Sequence, residues 1–256
     1  MKLATWNING IKARHERLLA FLARHSPDVL CLQEIKSEDE KFPRDVFEDV
    51  GYRVVTYGQK GYNGVALFSR EPITDVARGF GDGEDDEQCR FIAGTTFGMR
   101  IASAYVPNGG DSIGGEKYQY KLAWLERFRA FVAAHEKRGL VIGGDYNVAP
   151  ADLDVHDPAA WEGSVLCSPA ERAALAAVVG EGLVDLLRQD QPDTQVFTWW
   201  DYRMLGFQKN KGLRIDHVLA TRDVAARLSA VKVDREERKG KLPSDHAPVV
   251  LELSDP

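Results

Sequence analysis

Residues 140–147 read LVIGGDYN, an apolar run that passes directly into a polar motif. The run is short and rich in branched apolar residues, which predicts a buried strand over 140–143. Because side chains alternate along an extended chain, Asp145 and Asn147 are expected on one side and Tyr146 on the other. A carboxylate beside a carboxamide can hold one water molecule, with Asp145 accepting its proton and Asn147 fixing its position. The alternative is an Asx turn that only caps the strand.

A polar motif beside a strand-like run recurs at four more places in the chain. The motifs are WNING at 6–10, QE at 33–34, RID at 214–216 and SDH at 244–246. If these strands end together at one edge of a sheet, their polar side chains share a single cleft. Several carboxylates, two or three carboxamides and one histidine suit a divalent metal ion and an attack on phosphorus.

Each motif has a functional and a structural interpretation. Glu34 follows a run too apolar for an exposed strand, which favours a metal ligand over a surface glutamate. Asn7 could reach a metal-bound water or a phosphate oxygen, whereas Asn9 before Gly10 is more typical of a turn. His246 could donate a ring N–H to Asp216 and, as an imidazolium, bind a phosphate oxygen. A lone histidine is more often structural, so its functional interpretation depends on these neighbours.

The order of elements favours an α+β layered sandwich over a purely parallel sheet. Asn63-Gly64 between two strand-like runs predicts a hairpin turn with positive φ. Ser168, Pro169 and Glu171 predict a capping box at the start of a helix. Strands are predicted at 2–6, 28–32, 52–56, 65–69, 91–97, 100–106, 140–143, 197–199, 215–221 and 248–253, and helices at 12–25, 116–138 and from residue 169. With no linker or composition break, residues 1–256 are expected to form a single domain.

Composition limits the class of protein. The chain has 256 residues, 44% of them hydrophobic, with a net charge of -6 and a sequence pI of about 5.6. This acidity argues mildly against a protein that coats nucleic acid, although a nuclease with local basic loops is compatible with it. Two such loops are 203–214, which contains Lys209 and Lys211, and 235–241; solvated surface is the alternative for each. Three widely spaced cysteines, no bilayer-length apolar run and no signal sequence predict a cytoplasmic protein without membrane attachment.

Taken together, NING, LQE, GDYN, LRID and SDHAP resemble the exonuclease III family of apurinic/apyrimidinic (AP) endonucleases, part of the endonuclease/exonuclease/phosphatase superfamily. The resemblance runs from Met1 to about Leu253. It implies a four-layer α/β sandwich of the deoxyribonuclease I type: two mixed β-sheets packed face to face with helices outside. It further implies cleavage of DNA 5′ to abasic sites, 3′→5′ exonuclease action and removal of 3′-blocking groups.

The resemblance also implies roles for particular residues. Glu34 matches the main metal ligand, with Asn7 and Asp245 nearby, and the implied ion is Mg²⁺, for which Mn²⁺ could substitute. The implied catalytic residues are Asp145 as the base, Asn147 as the orienting amide, the pair Asp216 and His246 on the phosphate, and Tyr105 as a stabiliser of phosphate or leaving group. The implied DNA contacts are Arg90 and, against the abasic sugar, Trp199. From the sequence itself, Leu213 could line the pocket for that sugar, and Lys209 and Lys211 of the basic loop could meet the DNA backbone. Trp200 is expected in the core.

Two other functions fit the sequence less well. A regulatory relative that has lost catalysis should lack site residues, yet the full set is present. A phosphatase of small or lipid substrates should carry a histidine in the stretch YVPN at 105–108, where none occurs. The expected substrate is therefore double-stranded DNA with abasic sites or 3′ ends, and the expected state is a monomer. Residues 161–168 are the loop expected to set the balance between the two DNA activities.

Overall fold

The computed structural model describes residues 1–84 and 86–255. Within that part of the chain, strands and helices alternate irregularly. The strands are β1 (Lys2–Asn7), β2 (Val29–Gln33), β3 (Arg53–Tyr57), β4 (Val65–Ser69), β5 (Thr74–Arg78), β6 (Phe91–Thr96), β7 (Met99–Tyr105), β8 (Leu140–Asp145), β9 (Leu183–Asp185), β10 (Trp199–Trp200), β11 (Gly212–Leu213), β12 (Asp216–Thr221), β13 (Leu228–Val233) and β14 (Val249–Leu253). The α-helices are α1 (Ile11–His25), α2 (Arg44–Glu48), α3 (Glu116–Ala134), α4 (Pro158–Trp161), α5 (Pro169–Gly180), α6 (Leu186–Asp190) and α7 (Arg222–Ala225).

Two mixed sheets of six strands each form the centre of the described structure. One has the order β13-β14-β1-β2-β4-β3 and the other β5-β6-β7-β8-β12-β9. Each contains one central parallel pair, β1 with β2 and β7 with β8, and is otherwise antiparallel. A short ribbon of β10 and β11 lies beside them. Parallel pairs need crossover connections, and α1 and α3 provide them.

Three apolar clusters define the layers. Leu3, Cys31 and Leu67 of the first sheet pack against Ile101 and Val141 of the second in one buried cluster. A second cluster fills the space between the first sheet and α1, and a third fills the space between the second sheet and the helices α3 and α5. Two sheets face to face with helices outside are the predicted four-layer sandwich. The fold prediction is confirmed.

The predicted capping box and the predicted hairpin turn are both present. Ser168 caps α5 and Glu171 completes the reciprocal capping box. Asn63 and Gly64 adopt φ values of 51° and 87° before β4, and β3 pairs with β4 as an antiparallel hairpin.

Other elements differ from prediction. Helix α3 ends at Ala134 rather than at residue 138, because the polar residues that follow have no apolar face to bury. Edge strands β5 and β13 were not predicted. Their residues are largely exposed and lack the alternation that marks a half-buried strand.

Candidate active site

Strand ends bring the polar motifs to one edge of the molecule. Asn7, Tyr105 and Asp145 are the last residues of their strands, and Glu34 directly follows β2. Asp216 begins β12, which runs antiparallel to β8, so its start lies at the same edge. Tyr105 pairs with Asp145, and Asp145 pairs with Asp216, so three site residues stand side by side across one sheet.

Two glycines allow the strands to approach at this edge. A Cβ on Gly143 would lie 3.0 Å from Cβ of Thr5 in the opposite sheet, and one on Gly144 would lie 2.2 Å from the carbonyl oxygen of Ala104. Nδ2 of Asn7 then joins the two sheets by donating to Oδ2 of Asp145 at 2.9 Å, and it also donates to Oε1 of Glu34, beside it on the same sheet, at 2.8 Å.

Glu34, Asp145 and His246 form one compact group. Each offers a ligand atom, and these atoms lie within 4.8 Å of one another. Asp145 is 1% exposed. Burial raises its pKa to about 7, with further upward contributions from Asp216 and Glu34, while His246 and the hydrogen bond from Asn7 oppose the rise. The group contains two carboxylates and one imidazole, so its negative charge exceeds its positive charge when both carboxylates are ionised.

His246 and Asp216 form a buried pair. Nδ1 of His246 lies 2.9 Å and 3.0 Å from the two carboxylate oxygens of Asp216, and Nε2 lies 3.6 Å from Oδ2 of Asp145. Burial on its own lowers the pKa of His246, but the Asp216 and Asp145 carboxylates outweigh it and raise the pKa to about 10. The imidazolium therefore donates its Nδ1–H to Asp216, and its Nε2–H points to the side of the site where Asp145 lies.

The GDYN motif forms an Asx turn and also places the Asn147 side chain beside the Asp145 carboxylate. The backbone N–H of Asn147 donates to Oδ1 of Asp145 at 3.0 Å, which is the Asx turn. The side chain of Asn147 also lies against the carboxylate, with Nδ2 at 3.4 Å from Oδ2 of Asp145 and 2.9 Å from the carbonyl oxygen of Val106. Asn147 adopts φ 49°, a left-handed conformation that asparagine tolerates better than most residues. Tyr146 faces away into the cluster under α3.

Tyr105 is buried at the same edge with Arg90 stacked on it. The Arg90 guanidinium lies 4.6 Å from the centre of the Tyr105 ring and donates to the Tyr105 carbonyl at 3.3 Å. Burial, reinforced by the Glu34 and Asp145 carboxylates, raises the pKa of Tyr105 well above its usual value. Tyr105 therefore keeps its phenolic proton and can act as a hydrogen-bond donor.

Asp245 is tied to Trp199 rather than to the compact acidic group. Its carboxylate accepts from Nε1 of Trp199 at 3.0 Å and from Nδ2 of Asn9 at 2.9 Å. Burial raises the pKa of Asp245, but His246 and these two hydrogen bonds outweigh it and bring the pKa below its ordinary value. Trp199 is half-buried and Trp200 fully buried, so the expected division between the two tryptophans is observed.

The residues expected to touch DNA fall into two classes. Lys209 and Lys211 are exposed. Leu213, in contrast, is fully buried and packs with Val155 and Ile215, so the expectation that it lines the pocket is wrong for this structure. Leu213 pairs with Trp199 in the ribbon of β10 and β11, and this pairing places its side chain in the buried cluster, where Trp199 covers it. Arg214 is also buried, bonded to Asp154 at 2.6 Å, and so does not belong to a basic surface loop.

Sequence reasoning missed two residues of the site. Lys36 bonds to Oε2 of Glu34 at 2.8 Å and to Oδ1 of Asn9 at 2.6 Å. Asn108 donates from Nδ2 to Oδ1 of Asn147 at 3.2 Å. Lys36 lies close after Glu34 in the sequence, and Asn108 close after Tyr105, which could have indicated that both belong to the site. Neither residue directly follows a strand.

The donor set fits a hard divalent cation. Glu34 and Asp145 supply carboxylate oxygens, which such ions prefer. Burial is the main cause of the raised pKa of Asp145, and the Asp216 and Glu34 carboxylates add to it; a bound cation would favour the charged form. Lys36 already places one positive charge on the outer oxygen of Glu34.

Comparison with known proteins agrees with this geometry. The chain is similar to exodeoxyribonuclease III of Haemophilus influenzae, with 37% identity over 99% of this chain and 100% of that protein. Among solved structures, it is similar to the 3′ phosphatase NExo of Neisseria bound to a product DNA hairpin (TM-score 0.97, 41% identity) and to an AP endonuclease from Archaeoglobus fulgidus (0.96, 38%), each covering both chains fully. The model of the endonuclease/exonuclease/phosphatase family matches residues 4–246. The chain belongs to this family, within its exonuclease III branch.

Proposed function

We propose that this protein is a metal-dependent DNA repair nuclease. It hydrolyses the phosphodiester 5′ to abasic sites and also trims and cleans 3′ ends. The observation that carries the proposal is that ligand atoms of Glu34, Asp145 and His246 lie within 4.8 Å of one another in a chain of this family. The exodeoxyribonuclease, 3′ phosphatase and AP endonuclease relatives support the choice of DNA as substrate.

In the proposed mechanism, Asp145 takes the proton of the attacking water and Asn147 holds that water in line. In-line positioning of this kind can lower a barrier by about 7 kcal/mol or more. The His246 imidazolium, oriented by Asp216, and the Tyr105 hydroxyl donate hydrogen bonds to phosphate oxygens as negative charge develops. One such donor is typically worth about 3 kcal/mol.

Glu34 would be the main ligand of a divalent ion, with Asn7 and Asp245 nearby. We propose Mg²⁺, for which Mn²⁺ could substitute, because the ligands are oxygen atoms and the substrate is a phosphate. When bound, the ion neutralises the phosphate and the departing 3′-oxygen. The Asn7 amide, which bridges Glu34 and Asp145, keeps the two carboxylates in fixed relation.

The DNA would lie across this edge of the sandwich. The exposed Lys209 and Lys211 would supply positive charge for its backbone, and Arg90, which is 9% exposed beside Tyr105, would add charge closer to the site. The half-buried face of Trp199 would pack against the abasic sugar. Removal of the base makes such a nucleotide easier to rotate out of the stack.

We further propose that residues 1–256 act as one folded unit, as a monomer in the cytoplasm. In the described residues, no helix combines the length and apolarity needed to span a bilayer.

The direct test is a side-by-side digestion of an abasic duplex and an undamaged blunt duplex. With Mg²⁺, we expect cleavage 5′ to the abasic site and removal of nucleotides from 3′ ends, and with EDTA neither. A duplex carrying a 3′ phosphate tests end cleaning in the same series. A folded protein that leaves every one of these substrates intact with Mg²⁺ or Mn²⁺ would refute the proposal.

A further inference from the structure

Lys121 is a fully buried lysine in the middle of α3, next to the site but outside the proposed chemistry. Its ammonium reaches three acceptors: the carbonyl oxygen of Asn147 at 2.6 Å, that of Asn108 at 3.2 Å and the carboxylate of Glu171. An ammonium has three N–H donors, so each one is used. A buried charge is costly even when it is paired. The three directed hydrogen bonds of Lys121 therefore indicate a role beyond filling the core.

Glu171 anchors this lysine to a second helix. It is also fully buried and belongs to the capping box of α5, where it accepts from the backbone N–H of Ser168 at 3.1 Å and of Leu166 at 3.0 Å. Burial lowers the pKa of Lys121, and the Glu171 carboxylate opposes that shift. The ammonium is thus held between α3 and the start of α5.

The two carbonyls that Lys121 binds belong to residues whose side chains meet in the site. Nδ2 of Asn108 donates to Oδ1 of Asn147 at 3.2 Å, which leaves the Asn147 amide nitrogen facing Val106 and Asp145. Asn147 also holds a left-handed backbone conformation, which persists only where surrounding structure fixes it. One ammonium therefore fixes the main chain at both ends of this side-chain contact.

We propose that Lys121, held by Glu171, is a positioning residue that fixes the carboxamide of Asn147. It does so by binding the main-chain carbonyls of Asn108 and Asn147, and it does not touch the reacting atoms. The inference rests on the proposed role of Asn147 in orienting the attacking water.

The test removes the ion pair without leaving an unpaired charge. Lys121→Met with Glu171→Gln removes both charges, and the Gln side-chain oxygen can still accept from an N–H group of the α5 cap. We expect the cleavage rate of an abasic duplex at saturating DNA to fall on the order of 100-fold, because small misplacements of site groups cost that much. KM should change little, and thermal unfolding should stay cooperative. If this variant does not fold, Lys121→Gln with Glu171→Gln keeps a hydrogen-bonding pair and should also lower the rate.

A matched control uses another ion pair that links the same helices. Arg129 in α3 bonds to Glu181 at the end of α5 at 2.7 Å, and neither residue contacts the site. Arg129→Met with Glu181→Gln should leave the cleavage rate unchanged.

The decisive comparison repeats the Lys121 and Glu171 changes in an Asn147→Ala background. If Lys121 acts through Asn147, the added changes should cost little further activity there. An undiminished loss in that background, or a normal rate in either folded Lys121 variant, overturns the inference. A normal rate for Asn147→Ala alone would instead refute the proposed role of Asn147, on which the inference depends.

Discussion

Nδ2 of Asn7 donates a 2.9 Å hydrogen bond to Oδ2 of Asp145, so the last residue of β1 contacts the last residue of β8 across the gap between the sheets. The site therefore depends on the spacing of the two sheets at this edge. Gly143 sets that spacing, since a Cβ there would press on Thr5 and Cys31 of the opposite sheet, at 3.0 Å and 3.3 Å from their Cβ atoms.

Gly143→Val should therefore damage stability and activity together. Overpacking a core typically costs about 1–3 kcal/mol in the free energy of unfolding. Since the same displacement separates Asn7 from Asp145, kcat should also fall. Urea unfolding and abasic cleavage measure the two effects. The control is Gly180→Ala, at the end of α5, where an added Cβ meets no atom within 4 Å. Normal kcat in a destabilised Gly143→Val protein would contradict the link.

Asp145→Asn should keep the fold and lose turnover. The change is isosteric and removes the group proposed to accept the proton from water, a contribution of about 10²–10⁴-fold in rate. It removes a buried negative charge, which offsets the loss of one acceptor oxygen for Asn7 or Asn147, so the protein should remain folded. Single-turnover cleavage and thermal unfolding check the two parts. A near-normal rate would mean that another group activates the water.

Much of the fold could be predicted because its central strands are short apolar runs bounded by polar motifs. The same motifs marked Asp145, Glu34 and His246, since polar residues at strand ends gather at one sheet edge. Edge strands such as β5 could not be predicted, because an exposed strand does not need the alternation of apolar and polar residues that marks a half-buried one. The burial of Leu213 and the role of Lys121 depend on contacts between elements distant in sequence, which local patterns do not encode.

His246→Ala and Asp216→Ala should have overlapping effects on catalysis. Asp216 acts by holding Nδ1 of His246, so it contributes little once the imidazole is gone. Each single variant should lose about 10²–10³-fold in kcat, the cost typical of removing one charge-stabilising donor. The double variant should lose little more than the worse single variant. Multiplicative losses in the double variant would indicate that the two residues act separately.

Trp199 and Trp200 should respond to truncation in opposite ways. Trp199 is half-buried at the site, so Trp199→Ala should weaken abasic cleavage by about 1.5–3 kcal/mol, the range for losing the burial of one apolar side chain, and leave the fold intact. Trp200 is fully buried beside Phe197 and Ala247, so Trp200→Ala should cost about 3–5 kcal/mol in the free energy of unfolding.

Trp199→Phe separates two contributions of this side chain. It keeps an aromatic face but loses the 3.0 Å hydrogen bond from Nε1 to Asp245. If the face alone contacts the abasic sugar, Phe should restore most of the activity lost in Trp199→Ala. If Phe is as impaired as Ala, the bond to Asp245 is the larger contribution. Cleavage of an abasic duplex and trimming of an undamaged 3′ end should be measured in parallel, because a sugar contact affects the first more than the second. Equal loss on both substrates would contradict a role for Trp199 in recognising the abasic sugar.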